Sequence, residues 1–198
     1  INLKIDELRL DIFNNFYSNY GQFIIKPVGS GSSFGIKIFK DRQSINLFMS
    51  DLENNLGFYK NHKELMIEKF IKGRELTVSV IEEDNHSRSI EVTEIIYAGS
   101  DFFDYKSKYT PGYSEHILPA KIPKDIYLMA MNYAKIVHDK LLCRAISRSD
   151  FIFDGKDLFF LEINTQPGLT PISLVPEQLK YHDISFKDLI KNIIKCSI

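Results

Sequence analysis

Cysteine is scarce in this chain, with only Cys143 and Cys196 among 198 residues. Two are too few for a disulfide framework or a zinc site, and they fit a reducing cytosol. An excess of one charge is equally absent, since 25 basic and 26 acidic side chains leave a formal net charge of -1. Such a chain has no basic field to hold nucleic acid. No apolar run reaches membrane-spanning length, no stretch reads as a secretory signal, and no repeat or low-complexity tract appears. These absences point to a cytoplasmic globular protein with neither nucleic acid nor membrane as partner. What is present, 44% hydrophobic and 13% aromatic residues, suffices to bury a core as one domain or two small ones.

Ile5, Leu8, Ile12, Phe16 and Tyr20 recur at helical spacing, and Gly21 is placed to end that helix. "QFIIKPV" reads as a strand, "GSGSSFG" as a loop, "IKIFK" as a returning strand and "RQSINLFMSDLENNLGF" as a helix. Strands follow at "LMIEKFI", "ELTVSVIEE" and "SIEVTEIIY", the last two joined by a turn at Asp84-Asn85. Residues 99–123 carry neither period and are dense in Tyr, Lys, Pro and Gly, so a long functional or irregular loop is expected. Ile126, Met129, Tyr133, Val137 and Leu141 restore helical spacing, and Ser185 with Asp188 opens a final amphipathic helix. The order predicts an α+β fold, largely antiparallel, without regular βαβ alternation.

The stretch "DFIFDGKDLFFLEINTQPG" reads as a hairpin with acids on one face. Alternation puts Phe151, Phe153, Phe159, Leu161 and Ile163 on an apolar side. Arg148, Asp150, Ile152, Phe160, Glu162 and Asn164 then take the other. A tight turn at Asp154-Gly155 would stagger the acids, whereas a loop from Asp154 to Leu158 would set Asp150 opposite Glu162, and the longer loop is preferred. Two carboxylates gathered there repel and raise each other's pKa unless a cation lies between them. Removing either should therefore leave metal-free stability unchanged or improved. Oxygen ligands of this kind suit Mg2+ that also binds phosphate, and a solvated outer face is the alternative.

In "IIKPVGSGSSFGIKIF", Gly29, Gly31 and Gly35 permit close backbone approach, Ser30, Ser32 and Ser33 offer hydroxyls, and Lys26 adds a point charge. Phosphate binding is one reading and an ordinary mobile turn the other. No Gly-Lys-Ser/Thr follows, so this is not a Walker loop. "IEKFIKGRELTV" places Glu68 and Phe70 on one side of a strand, with Glu75 beyond the break at Gly73. A carboxylate at Glu75 could accept from ribose hydroxyls, or simply belong to a charged edge strand.

Together these stretches resemble the ATP-grasp superfamily, and within it the D-alanine-D-alanine ligases, over nearly the whole chain. "KPVGSGSSFGI" is similar to the family's phosphate loop and "IEKFIKGRELTV" to its purine hinge. "DYKSKY" is similar to the substrate-covering loop, and "LEINTQPGLTPISLVP" to the metal and second-substrate segment. The resemblance implies two mainly antiparallel sheets with flanking helices enclosing a nucleotide cleft. It divides the chain into residues 1–77, with phosphate loop and hinge, and 78–198, with covering loop, metal site and second-substrate site.

The implied chemistry forms an acyl phosphate from ATP and one D-alanine, which the amine of a second then attacks, for cell-wall peptidoglycan precursors. By resemblance, Lys26, Gly31 and Ser33 would meet the ATP phosphates, Glu68, Lys69, Phe70 and Ile71 the adenine, and Glu75 the ribose. Lys108 would reach the γ-phosphate, Ser32 would close the loop and Tyr109 would order the cover. Asp150, Glu162 and Asn164 would ligate Mg2+ or Mn2+, as two ions. Arg148 and the Gly168 N–H would stabilise the oxyanion, and Ser173 with Leu174 would receive the second D-alanine's carboxylate. Partners would be ATP, D-alanine, an N-terminal domain not found before Ile1, and, as one allowed arrangement, a second copy in a homodimer. The chain alone is thus expected to be an incomplete ligase. Ser149 departs from the apolar residue usual in the family at that place. Another ATP-grasp carboxylate-amine ligase and a non-catalytic ATP-binding remnant are the other readings.

Overall fold

The computed structural model describes residues 1–29, 35–51, 54, 59, 62–84, 86–97 and 114–196. The described residues form two compact units, one within Ile1–Ile71 and Tyr97–Tyr113 and the other within Lys72–Ile96 and Ser114–Ile198. The boundary expected after residue 77 falls inside a strand of the second unit.

The first unit runs β1 (Asn2–Lys4), a 3-10 turn (Ile5–Glu7), α1 (Leu10–Tyr20), β2 (Phe23–Pro27), β3 (Lys37–Phe39), α2 (Arg42–Ser50) and β4 (Glu64–Lys69). Its sheet has the order β1-β4-β2-β3 and is antiparallel. The helix expected from Ile5 begins only at Leu10, because Ile5–Glu7 tightens into the 3-10 turn after β1. Phe13 and Phe16 then supply its buried face, and Gly21, at φ 75°, ends it in a conformation that favours glycine. Asp41 caps α2, its carboxylate accepting from the Ser44 N–H at 2.7 Å. The core is aromatic: Phe23 stacks on Phe39 at 4.8 Å between centroids, and Phe48 meets Phe39 edge-on at 5.2 Å.

The second unit comprises β5 (Arg74–Glu83), β6 (His86–Tyr97), β7 (Ser114–Ile117), α3 (Lys124–Lys140), β8 (Ile146–Phe153), β9 (Leu158–Asn164), α4 (Leu174–Tyr181) and α5 (Phe186–Cys196). The sheet order is β7-β6-β5-β8-β9, and the β5–β6, β5–β8 and β8–β9 pairs are antiparallel. Two antiparallel sheets with flanking helices agree with the expected class. Residues 99–113 of the segment expected to be irregular lie outside the described residues, and within the rest β7 corrects that reading, since an edge strand of four residues is too short to show a period.

One sheet face, through Leu76, Val78, Val80, Phe151 and Phe153, packs on α3. The expected stripe on α3 is rotated: Ala130 and Ala134 lie fully buried, whereas Met129, Tyr133 and Leu141 are exposed. Small residues let a helix approach a sheet closely, so burial here follows fit rather than hydrophobicity. α4 and α5 cover one end of the opposite face through Val175, Leu179 and Leu189 on Ile81 and Ile146. α5 starts as expected, the Asp188 N–H donating to Ser185 Oγ at 3.1 Å.

α3 also carries His138 into this interior, 1% exposed, with Nδ1 2.7 Å from Ser147 Oγ and no partner for Nε2 among the described residues. Burial pushes its pKa below the ordinary 6.5, against the pull of Asp139 and Glu82, while nearby Lys135 adds to the lowering. The unfolded chain therefore binds this proton more readily than the folded one, and stability should decline as pH falls below about 6.5. Thermal melts between neutral and mildly acidic pH check this. His138→Gln should flatten that part of the profile, and an unchanged slope would remove His138 as its source.

Candidate functional site

The hairpin β8–β9 gathers the acids by a route the alternation did not predict. Its turn spans residues 154–157, one shorter than the preferred loop, and Leu158 pairs with Phe153. A register shift between Asp150 and Phe151 then takes up one residue, so that Phe151 faces Phe160 and Asp150 faces Glu162. Leu161 is that extra residue. The acids stand opposite each other as expected, but the shift exchanges the aromatic residues beyond it. Phe160 joins the Phe151 side, with ring centroids 5.6 Å apart, and Phe159 joins the Asp150 side opposite Ile152. Ser149 is fully buried on the core side, and its hydroxyl has no partner among the described residues.

On the other side, pairing aligns three rows across the sheet. Thr93, Thr77, Asp150 and Glu162 form one row, Ile95, Glu75, Ile152 and Phe159 the next, and Ser79, Arg148 and Asn164 a third. Asp150 is 5% exposed, and both its oxygens are engaged. Oδ1 accepts from Thr77 Oγ1 at 2.6 Å and from Arg148 Nε at 2.9 Å, while Oδ2 accepts from the Arg148 NH2 group at 2.8 Å. Burial works against the Arg148 charge, but attraction and hydrogen bonds from Asp150, with Glu162 and Glu75 adding, hold its pKa above the ordinary value.

The expectation that either carboxylate could be lost without harm is therefore corrected for Asp150. A guanidinium, itself largely buried, already offsets its charge, and removing one partner of such a pair strands the other. Glu162 is exposed and only faces this pair.

Asn164 ends β9, its Oδ1 accepting from the Gln166 N–H at 2.9 Å. Among the described residues no group of three His, Cys, Asp or Glu side chains is arranged to hold a metal ion. The candidate donors are instead two carboxylates and one amide oxygen in neighbouring rows. Ser173 precedes α4, and its hydroxyl turns away from its own helix to meet Thr170 Oγ1 at 2.8 Å. The first amide groups of α4, from Leu174 and Val175, thus have no side-chain cap and can serve an anion. A Cβ on Gly168 would stand 2.9 Å from Ser173 Oγ, so glycine lets this turn close.

In the first unit, Lys26 Nζ lies 2.5 Å from Glu68 Oε2, joining two expected site residues on β2 and β4. Lys69 pairs with Phe23, and the Phe70 N–H donates to the Gln22 carbonyl at 2.9 Å, which carries the strand toward Ile71. Gly29 and Gly35 both have φ 79°, as a glycine-dependent loop requires. Gly31, Ser32, Ser33, Lys108 and Tyr109 lie outside the described residues.

Two contributors escaped the sequence reading. Thr77 shares strand parity with Glu75, a signal that was present. Gln178 sits between Leu174, Val175 and Leu179 on the buried side of α4, a polar residue in an apolar position.

The family model described as D-ala D-ala ligase C-terminus matches residues 8–195. A D-alanine–D-alanine ligase of Zymomonas mobilis is 45% identical over 181 residues, covering 87% of this chain and 53% of that protein. One from Rhizorhabdus wittichii is 41% identical over 176 residues, covering 87% and 54%. The chain thus spans about half the length of these relatives. The crystal structure of D-alanyl-alanine synthetase A from Vibrio cholerae superposes with a TM-score of 0.81 at 24% identity, covering 99% of this chain and 59% of that one. That likeness speaks for the fold.

Proposed function

Because the chain belongs to the D-ala D-ala ligase C-terminus family, we propose that it carries the nucleotide, metal and second-substrate part of an ATP-dependent ligase. That ligase joins two D-alanines through an acyl phosphate, for peptidoglycan precursors. The observation that carries the reading is the polar sheet face on which Asp150 stands opposite Glu162 and Arg148 opposite Asn164.

These donors fit a hard cation, being oxygens set in register with one exposed carboxylate free to turn toward it. Asp150, Glu162 and Asn164 would hold Mg2+ or Mn2+, as two ions, whose chemistry when bound is to offset charge on phosphate oxygens. Lys26, with Gly31 and Ser33, meets the phosphates. Residues 68 to 71 hold the adenine, and Glu75 accepts from the ribose. Ser32, Lys108 and Tyr109 close the site and exclude water that would hydrolyse the acyl phosphate. Arg148 and the Gly168 N–H stabilise the oxyanion formed when the second amine attacks. Ser173 and the α4 amides receive that substrate's carboxylate. The phosphate loop and hinge fall in residues 1–77 and the other sites in 78–198. The first D-alanine is left to groups from the remaining length of the ligase, and a homodimer is compatible with this division.

Calorimetry of the chain with ATP, with and without Mg2+, tests the reading. Binding should depend on the metal, and Glu162→Ala should weaken it. Negligible heats in both conditions would overturn it.

A further inference from the structure

The buried amide of Gln178 is the most heavily engaged polar side chain on α4. It is fully buried, yet a residue there needs only to fill space between helix and sheet. Its Oε1 accepts from the Ser79 N–H at 2.9 Å, while Nε2 donates to the Thr77 carbonyl at 3.2 Å and to Thr93 Oγ1 at 2.9 Å. The first bond has a local cause. The β5–β6 register shifts between Val78 and Val80, so Ser79 has no partner residue on β6 and its N–H turns to the helix.

The other two bonds reach the site. Thr77, held at its carbonyl, donates its hydroxyl to Asp150, which in turn holds Arg148 by two hydrogen bonds. The run Gln178, Thr77, Asp150, Arg148 is continuous and largely shielded from water, where hydrogen bonds are strong and misplacement is costly. One turn before Gln178, the same helix begins at Leu174, beside Ser173. Gln178, acting through Thr77 and Asp150, therefore links the helix that opens at the candidate carboxylate seat to the candidate oxyanion group.

We infer that Gln178 is a positioning residue that fixes the N-terminus of α4 relative to Arg148 through Thr77 and Asp150. Its consequence for the second substrate rests on the ligase reading above, whereas the connection itself does not. A purely structural Gln178 would satisfy only the Ser79 N–H at the bulge.

Hydrogen exchange followed by NMR on the 198-residue chain separates the two. In Gln178→Met, of similar length but without the amide, a positioning role predicts that the Arg148 Nε–H exchanges at least about tenfold faster, together with the Ser79 amide. Faster exchange at Ser79 alone, with Arg148 unchanged, would overturn the inference. Should the Met variant fail to fold, Thr93→Val removes one Gln178 partner in a milder way. It should speed Arg148 Nε–H exchange by about threefold, and no change there would equally overturn it.

In a ligase made by joining the chain to the remaining length of a relative, Gln178→Met should raise KM for the second D-alanine by about tenfold and leave KM for ATP within about twofold. If that ligase makes no dipeptide even with Gln178, the ligase reading fails, and the exchange result still decides what Gln178 does.

Discussion

Asp150→Ala is expected to cost the folded chain about 3–5 kcal/mol, while Glu162→Ala costs less than about 0.5 kcal/mol. The two acids face each other across β8 and β9, yet their surroundings differ. Asp150 is buried and accepts three hydrogen bonds, two of them from a guanidinium whose side chain is 14% exposed. Without Asp150 that charge stays inside and, among the described residues, keeps only the attraction of Glu162 and Glu75, neither of which is hydrogen-bonded to it. Glu162 stands in solvent and contributes to Arg148 only at a distance. For a chain of this size the Asp150 variant should melt on the order of 10 °C lower. Denaturant unfolding without metal measures both, and equal losses would show that the buried pair is not what holds this face. With Mg2+ and ATP present, both variants should bind more weakly, so stability and binding separate the structural acid from the exposed one.

The second large effect concerns turnover. The chain spans about half the length of its relatives, so by itself it should release little ADP in response to D-alanine. Bringing reactants together in a ligase contributes several powers of ten to rate, and the groups that seat the first D-alanine are proposed to lie in the remaining length. Joined to that length from a relative, the chain should form the dipeptide. In the joined enzyme Arg148→Ala should lower kcat by about 10²–10³-fold and change KM for ATP far less, because the oxyanion it is proposed to meet develops only near the transition state. Arg148→Lys should rescue little, since an ammonium cannot reproduce the two-point grip on Asp150. The assay is run below the melting range of each variant, because loss of Arg148 also frees a buried carboxylate. Full activity of the isolated chain, or a joined enzyme that ignores D-alanine, would end the assignment.

The sequence by itself determined most element types, though not β1, β7 or α4, and it determined that Arg148 shares a strand face with Asp150 and Glu162 one with Asn164. All of these follow from short-range periodicity: side chains two apart share a strand face whatever lies elsewhere in the chain. The same rule failed where a local count was broken. The shift at Leu161 moved Phe159 and Phe160 to opposite sides, and nothing in an alternating pattern distinguishes a shorter turn plus a bulge from a longer loop. On α3, periodicity found the helix but not its buried side, because Ala130 and Ala134 were selected by closeness of approach.

What only the tertiary structure decided is which group answers which charge. Asp150 was expected to need a metal to relieve it, and Arg148, two residues away on the same strand, already does so. Thr77 is 73 residues from Asp150 in sequence, and Gln178 is 101 from Thr77, so a local pattern can mark the two residues but not what they contact. Buried polar groups must find partners wherever the folded backbone brings one within reach. That requirement acts across the whole sheet, so a linear pattern could place the acids but not say what holds them.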